Sequence, residues 1–127
     1  MSMVAWMNNR GLEGKAQLQT AIVNAKGGSV ANHVLIAAVA GKIIRAVGLN
    51  LASSGAMIGQ LRSGTSGTLL SQIDCSTNRQ TCDGCGAING AGYVQTAAGE
   101  ALTLEQTAGA GKLNGHINYI TIDPAED

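Results

Sequence analysis

The most reactive side chains in this sequence are three cysteines, Cys75, Cys82 and Cys85, set in a polar, glycine-rich stretch. Two residues separate Cys82 from Cys85, a spacing that lets two thiolates reach one ion, as in a zinc knuckle. A closed structural zinc site needs four ligands. Asp83, His116 or a neighbouring subunit would have to complete the set. The competing chemistry is a disulfide, Cys75 with Cys82 or with Cys85, stapling a long loop and leaving an odd thiol. Three unlinked thiols are the third reading. A metal and a disulfide would both act on stability rather than catalysis, and zinc or another metal at Cys75, Cys82 and Cys85 is the one cofactor the sequence brings into question.

Other reactive templates fail on spacing. Gly109-Ala110-Gly111-Lys112 is the tail of a phosphate loop, but position 106 is Gln where glycine is required and Leu113 replaces the Ser or Thr. Gly84-Cys85-Gly86 opens a dinucleotide-binding pattern whose third glycine falls one place late, with no strand–helix–strand unit around it. Gly64-Thr65-Ser66-Gly67 is one residue short of a nucleophile elbow. The two histidines, His33 and His116, fall in expected strands. A metal-dependent barrel enzyme wants several histidine ligands with a carboxylate near them. The expectation is a protein that is not an enzyme.

The elements that would position these residues are strands. The chain has 127 residues, enough for one domain of ordinary size. It has 18 glycines, one proline, no phenylalanine, one tryptophan and two tyrosines, so its core must come from Val, Ile, Leu, Ala and Met. Short apolar runs separated by glycine-rich breaks fit a sandwich or barrel. Strands are expected at Leu18–Asn24, His33–Val39, Ile43–Leu51, Ala56–Arg62, Thr68–Ile73, Tyr93–Thr96, Ala101–Gln106 and Asn114–Ile122. Leu102 and Leu104 alternate with Thr103 and Glu105, a period of two. Eight such strands suit a jelly roll. A helix over Val34–Leu51 is the alternative; Gly41, Gly48 and the β-branched content argue against it.

Domain organisation follows as an N-terminal arm over residues 1–15 and a single domain over 16–127, with a cysteine-bearing loop at 74–92. The arm carries an apolar knot, Met3, Val4, Trp6 and Met7, before Arg10. Trp6, Met7 and Arg10 are the candidates for contact with a partner. Two strands are apolar on both faces: Val34 and Ile36 alternate with Leu35, and Ile117 and Tyr119 with Ile120 and Ile122. A lone antiparallel sandwich usually wets one face of each sheet. Val34, Leu35, Ile36, Ile117 and Tyr119 are therefore expected at a subunit interface. Eight basic and eight acidic residues cancel, and no basic cluster is present to neutralise phosphates, which excludes a nucleic-acid partner. Neither a secretory signal nor a membrane span is expected; the longest unbroken apolar run, Val34–Ala40, falls far short of the ~20 residues a helix needs.

The run Ala37-Ala38-Val39-Ala40-Gly41-Lys42-Ile43-Ile44-Arg45-Ala46-Val47-Gly48, then Ala52-Ser53-Ser54-Gly55-Ala56, resembles small jelly-roll head decoration (cement) proteins of tailed bacteriophages. So do Tyr93–Leu104 and Gly115–Tyr119, and the likeness spans about residues 18–122. It lies in strand and turn residues and departs at Ser71–Gly92, where the cysteine loop stands. The resemblance implies a homotrimer on the outer surface of the virion capsid that clamps neighbouring major capsid protein subunits. Related jelly rolls also form the receptor- or glycan-binding heads of tail fibres, which is the alternative. With Trp6, Tyr93 and Tyr119 as its only aromatic residues, the chain is poorly equipped for glycan platforms.

Overall fold

The computed structural model describes residues 18–75, 81–83 and 92–126. Nine strands run through them: β1 (Gln19–Gly27), β2 (Asn32–Ile36), β3 (Ile43–Ser53), β4 (Met57–Ser63), β5 (Thr68–Cys75), β6 (Thr81–Asp83), β7 (Val94–Gln95), β8 (Leu102–Gly109) and β9 (Lys112–Ile122). A single 3-10 turn, Pro124–Glu126, follows, and no α-helix occurs among the described residues. The expected helix alternative over Val34–Leu51 is thereby replaced by β2, a turn and β3.

Pairing is nested. β1 pairs with β9, β2 with β8, β3 with both β6 and β7, and β4 with β5, all antiparallel. A long antiparallel ribbon wound so that alternate pairs fall in opposite sheets gives this order, which is the jelly roll. The first sheet runs β1-β9-β3-β6, with β7 sharing the β6 edge of β3; the second runs β2-β8-β4-β5. All eight expected strands are present, and the short β6 is the addition. It pairs with Leu51 and Ala52 of β3 from within the cysteine-bearing stretch.

Register assigns each side chain to a face. In the first sheet Ile44, Leu49, Leu51, Leu113 and Ile117 point between the sheets, and in the second Met57, Leu61, Ile73, Leu102 and Leu104 meet them. Aliphatic residues with Met57 and Cys75 make up this cluster, as a chain without phenylalanine requires.

Two bulges decide which residues break the alternation. In β2 the register slips between Val34 and Ile36, so Leu35 and Ile36 are both buried while Val34 stays exposed. In β3 it slips between Ala46 and Gly48, with Val47 as the extra residue. Inward positions are even-numbered before that bulge and odd-numbered after it.

Polar groups close the ends of the sandwich. Gln106 is fully buried; its Oε1 accepts from the Gly28 amide at 3.0 Å, and its Nε2 donates to the carbonyls of Gly109 and Gly111 at 3.0 and 3.1 Å. One side chain thus ties the β1–β2 connection to the β8–β9 turn. At the other end Thr96 Oγ1 accepts from the Ile44 amide at 3.0 Å. Ser63 Oγ accepts from the Ala97 amide at 2.9 Å and donates to Glu100 at 2.5 Å. Gly115 in β9 has φ +138°, and a Cβ there would lie 1.9 Å from the Asn50 carbonyl oxygen, so only glycine lets β3 and β9 approach at this row.

Candidate functional site

The sites singled out by spacing resolve into turns and core. Gly64–Gly67 is the β4–β5 hairpin turn, with the Gly67 amide bonded to the Gly64 carbonyl at 3.1 Å and Ser66 at φ 57°. Gly109–Lys112 is the β8–β9 turn, its Gly111 amide bonded to the Ala56 carbonyl at 3.0 Å. His33 and His116 do not converge. His33 lies on β2 of the second sheet, with Nε2 3.4 Å from the Ser29 carbonyl oxygen, whereas His116 lies on β9 of the first. Among the described residues no group of three or more His, Cys, Asp or Glu is placed to hold a metal ion.

Cys75 ends β5, is fully buried and is disulfide-bonded. A sulfur committed to a disulfide is not a thiolate ligand. This corrects the reading of Cys75 as one of three metal-binding thiolates. Its partner must come from Cys82 and Cys85, the only other cysteines of the chain. Cys85 and the side chain of Cys82 lie outside what the structure describes.

The expected subunit-interface residues separate. Leu35, Ile36 and Ile117 belong to the interior cluster, and Tyr119 is half-buried against it, its hydroxyl paired with Gln19 Oε1 at 3.2 Å. Their burial is intramolecular, and the β2 bulge is the reason Leu35 and Ile36 turn inward together. Leu35, Ile36 and Ile117 thus correct the expectation of outward-facing interface residues, while Tyr119 keeps part of its side chain at the surface. Val34 alone of the five is exposed. Trp6, Met7 and Arg10 lie outside the described residues.

What the structure offers for recognition is surface. On the outer face of the second sheet, Arg62 of β4 stands beside Glu105 of β8, Nε to Oε2 3.1 Å. The Nε hydrogen has no aligned acceptor, so this is an electrostatic contact rather than a directed hydrogen bond. The guanidinium is held instead by Gln60 Oε1 at 2.6 Å and the Gly67 carbonyl at 2.7 Å. Beside the pair, an open groove of about 340 Å³ is lined by Val30, Asn32, Ser66, Glu105 and Thr107, among others.

The outer face of the first sheet divides. Toward the β8–β9 turn it presents Thr20, Asn50, Asn114, His116 and Asn118, with Thr20 Oγ1 donating to Asn118 Oδ1 at 2.9 Å. Toward the other end the same face carries Ile43, Arg45, Ile120 and Ile122. All four are buried, and Arg45 Nε donates to Gln95 Oε1 at 2.8 Å.

A third surface is the side where β1 and β2, the edge strands of the two sheets, lie together. Of the seven large apolar side chains left exposed among the described residues, four come from this side: Leu18, Ile22, Val30 and Val34. Ile22 and Val30 are 71% and 68% exposed. Sequence reasoning flagged Val34 and missed Ile22 and Val30. The signal for Ile22 was available, since it alternates with Ala21 and Val23 in an apolar run.

Compared with known protein families, curated proteins and solved structures, the chain matches none of them.

Proposed function

We propose that this protein is a structural subunit, a phage head decoration protein that forms a homotrimer on the outer capsid surface and stabilises contacts between major capsid subunits. The observation that supports this most is the pair of sheet edges at β1 and β2, which leave Ile22 exposed on one, Val34 on the other and Val30 in the loop between them. Exposed sheet edges invite pairing with other chains, and proteins that remain monomeric blunt them with charge, proline or bulges. Here β2 carries its bulge between Val34 and Ile36, and β1 is guarded at one end, where the register shifts between Val23 and Lys26 and Ala25 adopts φ 52°. The Gln19–Val23 half has no such guard. A formal net charge of zero removes the repulsion that keeps copies apart. Three linked footprints on a capsid would then bind far more tightly than one. Arm residues Trp6, Met7 and Arg10 would extend each footprint toward a neighbouring subunit.

Native mass spectrometry with capsid co-sedimentation tests this. The expected species is a trimer that sediments with expanded capsids, and Ile22→Asp with Val34→Asp should shift it toward monomer without unfolding, because both side chains are exposed. A monomer at every concentration, with no capsid affinity, overturns the proposal. The groove beside Glu105 supports a second reading, the receptor- or glycan-binding head of a tail fibre or appendage. Asn32, Ser66, Glu105 and Thr107 supply the donors and acceptors that hydroxyl groups use. Saturable binding of a glycan, lost in Glu105→Gln, would favour that reading over the first.

A further inference from the structure

The two sides of the sandwich are closed differently. On one side the edge strands β1 and β2 lie together, with Ile22, Val30 and Val34 exposed. On the other, β5 of the second sheet lies beside β6 of the first. Cys75, the last residue of β5, is fully buried, belongs to the interior cluster and is disulfide-bonded. A covalent bond therefore starts at the edge where the two sheets meet.

Register shows which cysteine the strands bring to it. Cys75 is level with Met57, the first residue of β4. Three residues separate Met57 from Ser53, the last of β3, so Cys75 stands at the end of the sandwich where β3 stops. β6 begins at that end: Thr81 pairs with Ala52 and Asp83 with Leu51, which leaves Cys82 between two rows of the ladder. Because β6 is antiparallel to β3, its course from Thr81 to Asp83 leads away from the end that carries Cys75. A disulfide needs Cα atoms about 4.4–6.8 Å apart. Strand pairing thus holds the Cys82 backbone at the end where Cys75 stands, whereas Cys85 comes two residues after β6 has ended.

The ladder alone does not hold β6. The strand has three residues and pairs with β3 at Leu51 and Ala52, with a register shift between the two. Ordering three residues costs conformational entropy that two interrupted pairs do not offset. We infer that Cys75 is bonded to Cys82, and that this bond is a redox-sensitive latch keeping β6 on the edge of β3. A dithiol reductant opens it in two exchanges. One thiolate attacks a sulfur of the Cys75–Cys82 bond to give a mixed disulfide, and the second closes the reductant's own disulfide. Two cysteine thiols form, and the dithiol loses two hydrogens. β6 then leaves, uncovering the β3 edge at Leu51 and Ala52. The latch stands whether or not the protein decorates capsids.

Peptide mapping decides the pairing. With thiols first blocked by N-ethylmaleimide under denaturing conditions, cleavage after Arg79 and before Asp83 puts the three cysteines on separate peptides. The expected product is a disulfide-linked pair of the peptides carrying Cys75 and Cys82, with the blocking group on Cys85. A Cys75–Cys85 link, or a link from Cys75 to a second copy, overturns the assignment. Amide hydrogen exchange read by mass spectrometry tests the latch. Reductant should speed exchange severalfold in peptides covering Thr81–Asp83 and in those covering Leu51 and Ala52, and Cys82→Ser should do so without reductant. Peptides from β1 and β8 should change less than twofold. Unchanged exchange at Thr81–Asp83 on reduction overturns the latch, and so does an equal rise in every strand, which would make the bond a support of the whole sandwich.

Discussion

The outer faces of the two sheets solve the same problem in different ways. On the second sheet the centre of the face is an arginine–glutamate pair, Arg62 and Glu105, with Gln60 beside them and exposed Val34 and Leu69 toward the edges. On the first sheet one end is a ladder of asparagines, a threonine and a histidine, and the other end is a buried isoleucine group. The second sheet faces water in the manner of an ordinary antiparallel sheet. Part of the first is treated as interior. The difference shows that a face in this sandwich is defined by what covers it, not by its side of the sheet.

The largest expected effect tests whether that covered face has interior energetics. Ile120→Ala on the outer face should destabilise by about 2–5 kcal/mol, in the range of Leu104→Ala between the sheets, because both side chains are fully buried. Val34→Ala on the second sheet's outer face should stay within about 0.5 kcal/mol, since it is already in water. Urea denaturation of the three variants measures the contrast. An Ile120→Ala result as small as Val34→Ala would mean that the isoleucine end contributes no packing energy and that the comparison between faces fails.

The next effect belongs to the β5 end of the second sheet. The disulfide at Cys75 closes a loop of eight or eleven residues, depending on whether Cys82 or Cys85 completes it. Chain entropy gives such a loop about 2–3 kcal/mol. Thermal unfolding with and without reductant should show a loss of that order. Of the variants Cys82→Ser and Cys85→Ser, one should reproduce the loss and the other should leave stability nearly unchanged. Equal, negligible effects of both variants and of reductant would remove the disulfide from the stability of this edge.

Much of this architecture is legible in the sequence because strand alternation and glycine breaks are local signals. Leu102-Thr103-Leu104-Glu105 and the runs from Ile43 and Asn114 place their strands within a few residues. The jelly-roll order also follows, since eight short antiparallel strands have few compact ways to nest. Bulges are not legible. Nothing local marks the slip in β2 that turns both Leu35 and Ile36 inward, so an apolar run reads as a two-faced strand and suggests an interface. Gln106 was invisible for a related reason: it occupies an inward position where alternation expects an aliphatic residue, and its partners, Gly28, Gly109 and Gly111, meet it only after folding. The two-faced pattern of Ile117, Tyr119, Ile120 and Ile122 did carry information, since Ile117 is buried on one face of β9 and Ile120 and Ile122 on the other.

The smallest effect separates charge from burial on the second sheet. Arg62 and Glu105 are partly exposed, with side-chain exposures of 21% and 29%. Ion pairs of that kind contribute at most about 1 kcal/mol, and salt screens them. Glu105→Gln should therefore cost less than about 1 kcal/mol, with the cost shrinking as salt is added. Arg62→Ala should cost more than Glu105→Gln, because it also removes the bonds to Gln60 and to the Gly67 carbonyl that brace the β4–β5 turn. Urea titrations of both variants at low and high salt read the difference. If Glu105→Gln proves the costlier and insensitive to salt, the carboxylate is braced by more than Arg62, and the outer face of the second sheet resembles the covered end of the first.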